Sequence, residues 1–303
     1  MRVRALLVVN PKATTTTARA RDVLAHALAS EVKLDVAETT HRGHATELAT
    51  QATRDGLDVV VALGGDGTVN EVVNGLLHAG PQPGLPALGV VPAGSTNVFA
   101  RALGLPNSAI EATSQLLEAL LINRRRTIGL GQADGRYFTF NAGLGIDAGA
   151  VRRVERARSK GRTATQPLYV RSAVKEHFFG SRDGLTLELP GAEPLRLALA
   201  LVCAADPWTY LGNRPVRPCP DASFDTGLDL FGLTKAPTTV VLRHLTQILR
   251  GGPHGKHVVL LHDLPGFTLV GDGPLPFQLD GDELGDRTTV TLRSVPEALQ
   301  VFV

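Results

Sequence analysis

The sequence predicts two domains, an α/β domain built on a parallel sheet and then a mainly antiparallel β-sandwich. Three observations carry this. The chain has 303 residues, and a domain takes about 150. Residues 1–127 alternate apolar, strand-like runs with stretches of helical periodicity. From 128 onward, strand-like runs follow one another, most of them separated by Gly and Pro turns.

Each element has its own signal. Arg4 to Val9 is a β-rich run that stops at Asn10-Pro11. Ala18 to Ser30 places Val23, Leu24, Ala27 and Leu28 on one helical face. Leu34 to Thr39 reads as a strand, Ala45 to Asp55 as a helix, and Val59 to Leu63 as a buried strand. A helix from about Thr68 to Leu77, a buried strand Leu88 to Val91 and a helix Thr96 to Leu103 follow. Leu116 to Ile122 reads as ordinary helical core. Strands that are apolar throughout and alternate with helices require a parallel sheet covered on both faces. In the second half the strand candidates are Tyr137–Phe140, Leu185–Leu189, Leu195–Cys203, Leu228–Leu233, Val258–Leu261, Phe267–Val270 and Thr288–Leu292. One helix, about Thr238 to Leu249, interrupts them.

Composition narrows the function classes. Apolar residues make up 43% and charged residues 20%, which suits packed cores and excludes a disordered chain. Basic residues number 31 and acidic 29, a net +2 that excludes a histone-like nucleic-acid binder. The surplus is local. Arg152, Arg153, Arg156, Arg158, Lys160 and Arg162 face only Glu155, a net +5 that leaves −3 elsewhere. Cys203 and Cys219 are the only cysteines, so a disulfide framework is excluded and a reducing compartment fits. No Cys/His spacing suggests zinc. The apolar run in MRVRALLVVN is too short for a signal peptide. Leu197 to Ala205 is about half the ~20 residues of a bilayer span. The expected location is the cytoplasm, with peripheral contact at the inner face of the membrane left open.

The chemistry-bearing motif is Gly64-Gly65-Asp66-Gly67-Thr68-Val69-Asn70-Glu71, between a buried strand and a helix. Glycines let backbone amides approach an anion, and the helix N-terminus adds N–H groups and partial positive charge. That arrangement cradles phosphate. Asp66 is out of place beside phosphate unless it holds Mg²⁺, takes a proton from an attacking hydroxyl, or caps a helix in a tight turn. Pro92-Ala93-Gly94-Ser95-Thr96-Asn97 repeats the strand–loop–helix geometry, with Ser95 or Thr96 able to cap the helix or bind a phosphate oxygen. Asn10-Pro11-Lys12 ends the first strand. In a parallel sheet such strand ends share one edge, where ligands bind.

Together, Asn10-Pro11, Thr39 with Gly43, Gly64 to Thr68, and Pro92 to Asn97 resemble the diacylglycerol kinase catalytic-domain family, which includes bacterial lipid kinases and sphingosine kinases. Asn141 to Ala148, Pro220 to Gly227 and Leu279-Asp280-Gly281-Asp282 match further family segments, so the resemblance covers nearly the whole chain. The glycine loop alone also occurs in NAD kinases, which share the nucleotide-binding fold. The resemblance implies a nucleotide-binding α/β domain of residues 1–127 rejoined by a C-terminal segment 292–303, and a lipid-binding sandwich of residues 128–291. It implies transfer of the ATP γ-phosphate to a lipid hydroxyl with Mg²⁺, diacylglycerol being the default substrate. ATP would touch Asn10, Pro11, Lys12 and on to Thr14, then Thr39, Gly64, Gly65, Asp66, Gly67, Thr68, Asn70, Gly94, Ser95 and Asn97. The proton acceptor would be Asp282, which stands where the family's Asp-Gly-Glu motif has Glu, or Asp66. Asp225, in a segment where many relatives have Asp-Asp-Gly, is the candidate for a structural Mg²⁺ site. Two alternatives stay open, an NAD kinase-like small-molecule kinase and a non-catalytic lipid- or nucleotide-binding protein of the same fold.

Other features divide between two readings. Gly143 to Ala148 formally fits a dinucleotide fingerprint but lacks its βαβ context and reads as a glycine-rich bend. His41 and His44 read as solvated loop residues. Trp208 and Tyr210 suit an acyl pocket, a membrane interface or core packing. The basic segment Arg152 to Arg162 is either a solvated face or a dock on an anionic membrane where the lipid lies. At about 1 kcal/mol per basic residue it would give reversible attachment. Nothing in the composition opposes a homodimer.

Overall fold

The computed structural model describes residues 3–13, 15–145, 149, 184–250 and 252–303. The basic segment Arg152 to Arg162, Thr14, and Ile146 to Ala148 lie outside them. The chain divides into two units, residues 1–129 with 296–303, and residues 130–295.

The first unit alternates strand and helix in the expected order. Its elements are β1 (Arg4–Val9), α1 (Ala18–Glu31), β2 (Lys33–Glu38), α2 (His44–Arg54), β3 (Val59–Gly64), α3 (Asp66–Leu76), β4 (Ala87–Pro92), α4 (Val98–Ala102) and α5 (Ala109–Leu121). The strands run parallel in the order β2-β1-β3-β4. Every residue of β3 and β4 is buried, which is why they read as unbroken apolar runs rather than as alternating ones. Val301, near the chain's end, pairs in parallel with Leu88 of β4. One expectation needs correction here. The fifth helix begins at Ala109, behind the cap Ser108, whose hydroxyl accepts from Glu111 N. Its apolar end is not core: Leu121 and Ile122 are each 67% exposed, whereas Leu116 and Ala119 are buried.

The second unit is antiparallel. Its strands are β5 (Arg125–Ala133, entering from the first unit), β6 (Arg136–Phe138), β7 (Asn141–Leu144), β8 (Leu185–Glu188), β9 (Leu195–Leu197), β10 (Leu199–Cys203), β11 (Thr209–Leu211), β12 (Arg214–Val216), β13 (Leu228–Leu233), β14 (Val258–Leu264), β15 (Gly266–Leu279) and β16 (Asp282–Phe302, belonging to the first unit from Pro296 on). The helix α6 (Thr238–Ile248) precedes β14. Strands β14-β13-β10-β7-β15 are adjacent in that order. Strand β15 changes partner along its length, pairing with β8 over residues 268–271 and with β7 over 277–279. Both branches line one core, with Leu187 and Leu197 from one side and Val202 and Leu230 from the other. This is the predicted sandwich. Alternate residues of β10 and β13 point the other way. Leu201, Cys203, Phe231 and Leu233 build a second apolar cluster with Val216, Cys219, Ala222 and Ile248. Of the segment Gly143 to Ala148, read as a glycine-rich bend, Gly143 and Leu144 end the buried strand β7, Gly145 turns with φ 91°, and Ile146 to Ala148 lie outside the described residues.

Candidate functional site

The C-terminal ends of β1 to β4 form one edge of the first unit, where Val9 lies level with Leu63 and Gly64 with Pro92. The chain passes from β1 out to β2 and then back across to β3. The strand order therefore reverses between β1 and β3, the place where open α/β sheets bind ligands. Asn10 follows β1 there, and Gly65 follows β3.

Side chains lock these loops to one another. Asn10 accepts from Lys12 N through Oδ1 at 3.0 Å and donates from Nδ2 to Thr68 Oγ1 at 3.1 Å. Pro11 and Lys12 are exposed, and Thr39 is half-buried, its N–H donating to Val9 O at 2.8 Å. Gly64 ends β3, while Gly65, Asp66 and Gly67 are half-buried. Thr68 and Asn70 are buried, and Asn74 donates to Asn70 Oδ1 at 3.2 Å. Gly94 lies against Gly65: a Cβ built on Gly94 would stand 2.6 Å from Gly65 Cα. Asn97, buried at φ 51°, accepts from Gly94 N at 2.8 Å and donates to Asn107 Oδ1 at 2.7 Å. Ser95 is exposed.

Two carboxylates of the glycine-loop motif turn away from their own helix. Asp66 accepts from Val98 N and Phe99 N, both at 3.1 Å, and so caps α4. Glu71 accepts from Gly43 N at 2.9 Å and from Ala45 N at 3.2 Å, and so caps α2. Thr17 Oγ1 caps α1. The helix α3 starts differently, on Gly65, whose N-cap position supplies no side-chain hydrogen bond. Neither Ser95 nor Thr96 begins α4, as the sequence suggested. The helix starts at Val98 because Asn97 takes a left-handed turn and Asp66 satisfies the first amides. Glu71→Ala should lower stability by about 1–2 kcal/mol, since it frees two N–H groups and removes a negative charge at a helix N-terminus. Urea unfolding of the variant beside Glu71→Gln, which keeps one acceptor, reads this directly.

The other predicted residues lie in the second unit. Asp282 follows the turn Asp280-Gly281, where φ is 50° and 83°, the two positive values of a type I′ hairpin. Its side chain is 23% exposed and stands 3.9 Å from Arg136. The structure thus places Asp66 and Asp282 in different units and does not bring them together within either. Asp280, its motif neighbour, is buried and accepts four hydrogen bonds, from Thr139 N and Oγ1, Phe140 N and Asn141 N, at 2.7–3.1 Å. Asp225 is exposed, and among the described residues no group of three His, Cys, Asp or Glu is placed to hold a metal. His41 is exposed, as expected, whereas His44 is half-buried at the start of α2; their rings stack at 4.9 Å, and Thr40 Oγ1 lies within hydrogen-bond reach of both. Among the described residues no helix is long and apolar enough to cross a membrane.

Sequence reasoning passed over Glu71, Asp280 as an anchor, and Asp206. Burial pushes the Asp206 carboxyl up to about 6, against the opposing pull of Arg217 and with the help of Asp221. A carboxyl raised above its unfolded value of 3.8 destabilises the fold when ionised. The penalty is absent below pH 4, grows between 4 and 6, and is complete above 6. Asp206→Asn should therefore gain about 1–2 kcal/mol at pH 7.5 and nothing at pH 4, as thermal unfolding at the two pH values would report.

Comparison with known proteins supports the same reading. The diacylglycerol kinase catalytic domain matches residues 4–133. A diacylglycerol kinase of Bacillus subtilis (strain 168) is 45% identical over 107 residues, covering 35% of this chain and 33% of that protein. One from Staphylococcus aureus (strain JH9) is 27% identical over 265 residues, covering 86% of this chain and 79% of that protein. Among solved structures, a diacylglycerol kinase from Bacillus anthracis str. Sterne superposes with a TM-score of 0.73 at 18% identity, over 99% of this chain and 97% of that one. An NAD kinase from Archaeoglobus fulgidus in complex with ATP reaches 0.53 at 11% identity, over 99% of this chain and 93% of that one. These two speak for the fold. The chain thus resembles the diacylglycerol kinase catalytic-domain family in its motifs, in residues 4–133 and in its fold.

Proposed function

We propose that this protein is an ATP-dependent lipid kinase that transfers the γ-phosphate to a lipid hydroxyl, with a diacylglycerol as the default substrate. The observation that carries the reading is the start of α3. Asp66 and Glu71 cap the neighbouring helices, while α3 opens on Gly65 where the strand order reverses. An anion fits there, because helix N–H groups and the dipole favour negative charge and glycine leaves room for it. Phosphoryl transfer needs little covalent chemistry from the protein beyond such positioning.

The residues divide the work. Asn10 and Thr68 fix the β1 and β3 loops against each other, and Asp66 fixes the β3 loop to α4. Mg²⁺, arriving with the nucleotide phosphates, would screen their charge, and Asp66 is the carboxylate in the first turn of α3. Asp282 or Asp66 would accept the hydroxyl proton. The lipid would be met at a membrane surface by a cytoplasmic protein.

The test incubates purified protein and γ-labelled ATP with 1,2-dioctanoylglycerol, a total lipid extract, and NAD, resolved by thin-layer chromatography. Label in a lipid spot is expected. Label in NAD alone would establish the small-molecule kinase, and no label in any lane would favour a binding protein.

A further inference from the structure

We infer that one face of the 130–295 unit, formed by α6, the loop that follows it and β14, docks on an anionic lipid bilayer. This deepens the lipid-kinase reading and rests on it.

The sequence marks the face first. Acids are nearly as numerous as bases in the whole chain, 29 against 31, yet no Asp or Glu stands between Asp229 and Asp263. Lys235, Arg243, Arg250 and Lys256 lie in that stretch, and all four are exposed. Of the two bounding acids, Asp229 is buried, 2.9 Å from His262 Nδ1. A further cation joins from β12, where the exposed Arg214 donates to Leu249 O at 2.9 Å, at the C-terminal end of α6.

Packing gathers the apolar residues of the stretch. Helix α6 seats Ile248 on the second apolar cluster, with Val241 and Leu249 partly buried against it, and Val258 of β14 packs on the same cluster. Leu260 lies two residues beyond Val258 on the strand and so faces the same way. It is also paired across the ladder with Phe231, a buried member of that cluster. Nothing among the described residues covers it fully: Leu260 is 46% exposed, and Leu245 of α6 is 42% exposed. The face thus holds large aliphatic side chains in water, in a stretch that carries cations and no acids.

This combination selects the partner. A nucleic acid would meet the cations and leave the leucines in water. A second copy, using the same face, would bury the leucines but set cations against cations. A bilayer serves both, with anionic headgroups for the cations and an acyl boundary for the leucines. Each basic residue near such a surface is worth about fivefold in affinity, which makes the attachment reversible.

The test sediments the full-length protein, without nucleotide, with vesicles of phosphatidylcholine alone or mixed with phosphatidylglycerol. Binding is expected only to the mixed vesicles, and replacing Arg243, Arg250 and Lys256 together by Gln should weaken it about a hundredfold. These substitutions leave Arg152 to Arg162 intact, so the loss belongs to this face. Equal binding to both vesicles, or wild-type binding by the triple variant, would overturn the proposal. A second measurement locates the contact on a protein whose charges are untouched. Cys203 and Cys219 are buried, so a single exposed cysteine takes an environment-sensitive dye selectively. The dye on Leu260→Cys should brighten and shift to the blue with mixed vesicles, and the dye on Glu193→Cys, in the exposed turn between β8 and β9, should not. Equal responses at the two positions, or none at Leu260→Cys, would overturn the face. Neither measurement involves phosphoryl transfer. A protein that docks through this face yet labels no lipid would sink the kinase reading alone, and an active kinase whose dye at Leu260→Cys stays in water would sink this face alone.

Discussion

Gly94→Ala is expected to lower nucleotide affinity at least a hundredfold while leaving the rest of the first unit folded. The added Cβ would stand 2.6 Å from Gly65 Cα and 2.8 Å from Asn97 Oδ1. Real Cβ atoms do not approach so closely, and the first obstacle is backbone, which cannot rotate aside as a side chain can. One of the two loops must move. Either movement disturbs the start of α3, because Asp66 ties that turn to Val98 and Phe99, and Asn97 holds Gly94 N. Overpacking at such a contact typically costs about 1–3 kcal/mol of stability. Gly65→Ala is the graded control. Its Cβ would meet Gly94 Cα at 3.2 Å, a contact relieved by a shift of a few tenths of an ångström. Calorimetric titration with ATP and urea unfolding of the two variants would rank them. Wild-type affinity in Gly94→Ala would show that the loops part without consequence.

What the sequence made legible follows from how far apart the deciding contacts lie. Strand β1 was readable to the residue, and β3 and β4 to within one, because strands buried on both faces announce themselves locally. The long strands were not. Strand β15 reads as Phe267 to Val270 yet runs from Gly266 to Leu279, because the Gly-Asp-Gly-Pro stretch after Val270 looks like a turn. It is where β15 leaves β8 and joins β7, with a bulge between Val270 and Leu275. Strand β7 was hidden by its glycine for a similar reason: composition suggests a bend, whereas pairing on both sides by β10 and β15 makes a strand. At the site, glycines flagged the anion-binding turn because close backbone approach has a compositional signature. The carboxylates' partners had none. Asp66 reaches residues 32 and 33 positions away, and Glu71 reaches back 26 and 28. Nothing in a local window distinguishes such a cap from a catalytic group.

Within Asp280-Gly281-Asp282 the two acids should separate cleanly under mutation. Asp280→Ala is expected to lose about 3–5 kcal/mol of stability, because it strands three backbone N–H groups and a hydroxyl in a buried place. Asparagine would not rescue it, since its amide would turn a donor toward donors. Asp282→Asn should change stability by less than about 1 kcal/mol, as its ion pair with Arg136 is long and partly solvated. Its effect belongs to the rate. A carboxylate that takes the hydroxyl proton contributes about a hundredfold to ten-thousandfold, so kcat should fall by that amount with little change in KM for ATP. Urea unfolding and steady-state kinetics on both variants check the division. An Asp282→Asn enzyme at full rate would remove Asp282 as proton acceptor. The role would then fall to Asp66, whose two oxygens already accept from Val98 and Phe99 and whose replacement would also loosen α4. That coupling makes Asp282 the more informative variant, because urea unfolding of the same protein, read beside its rate, separates chemistry from architecture.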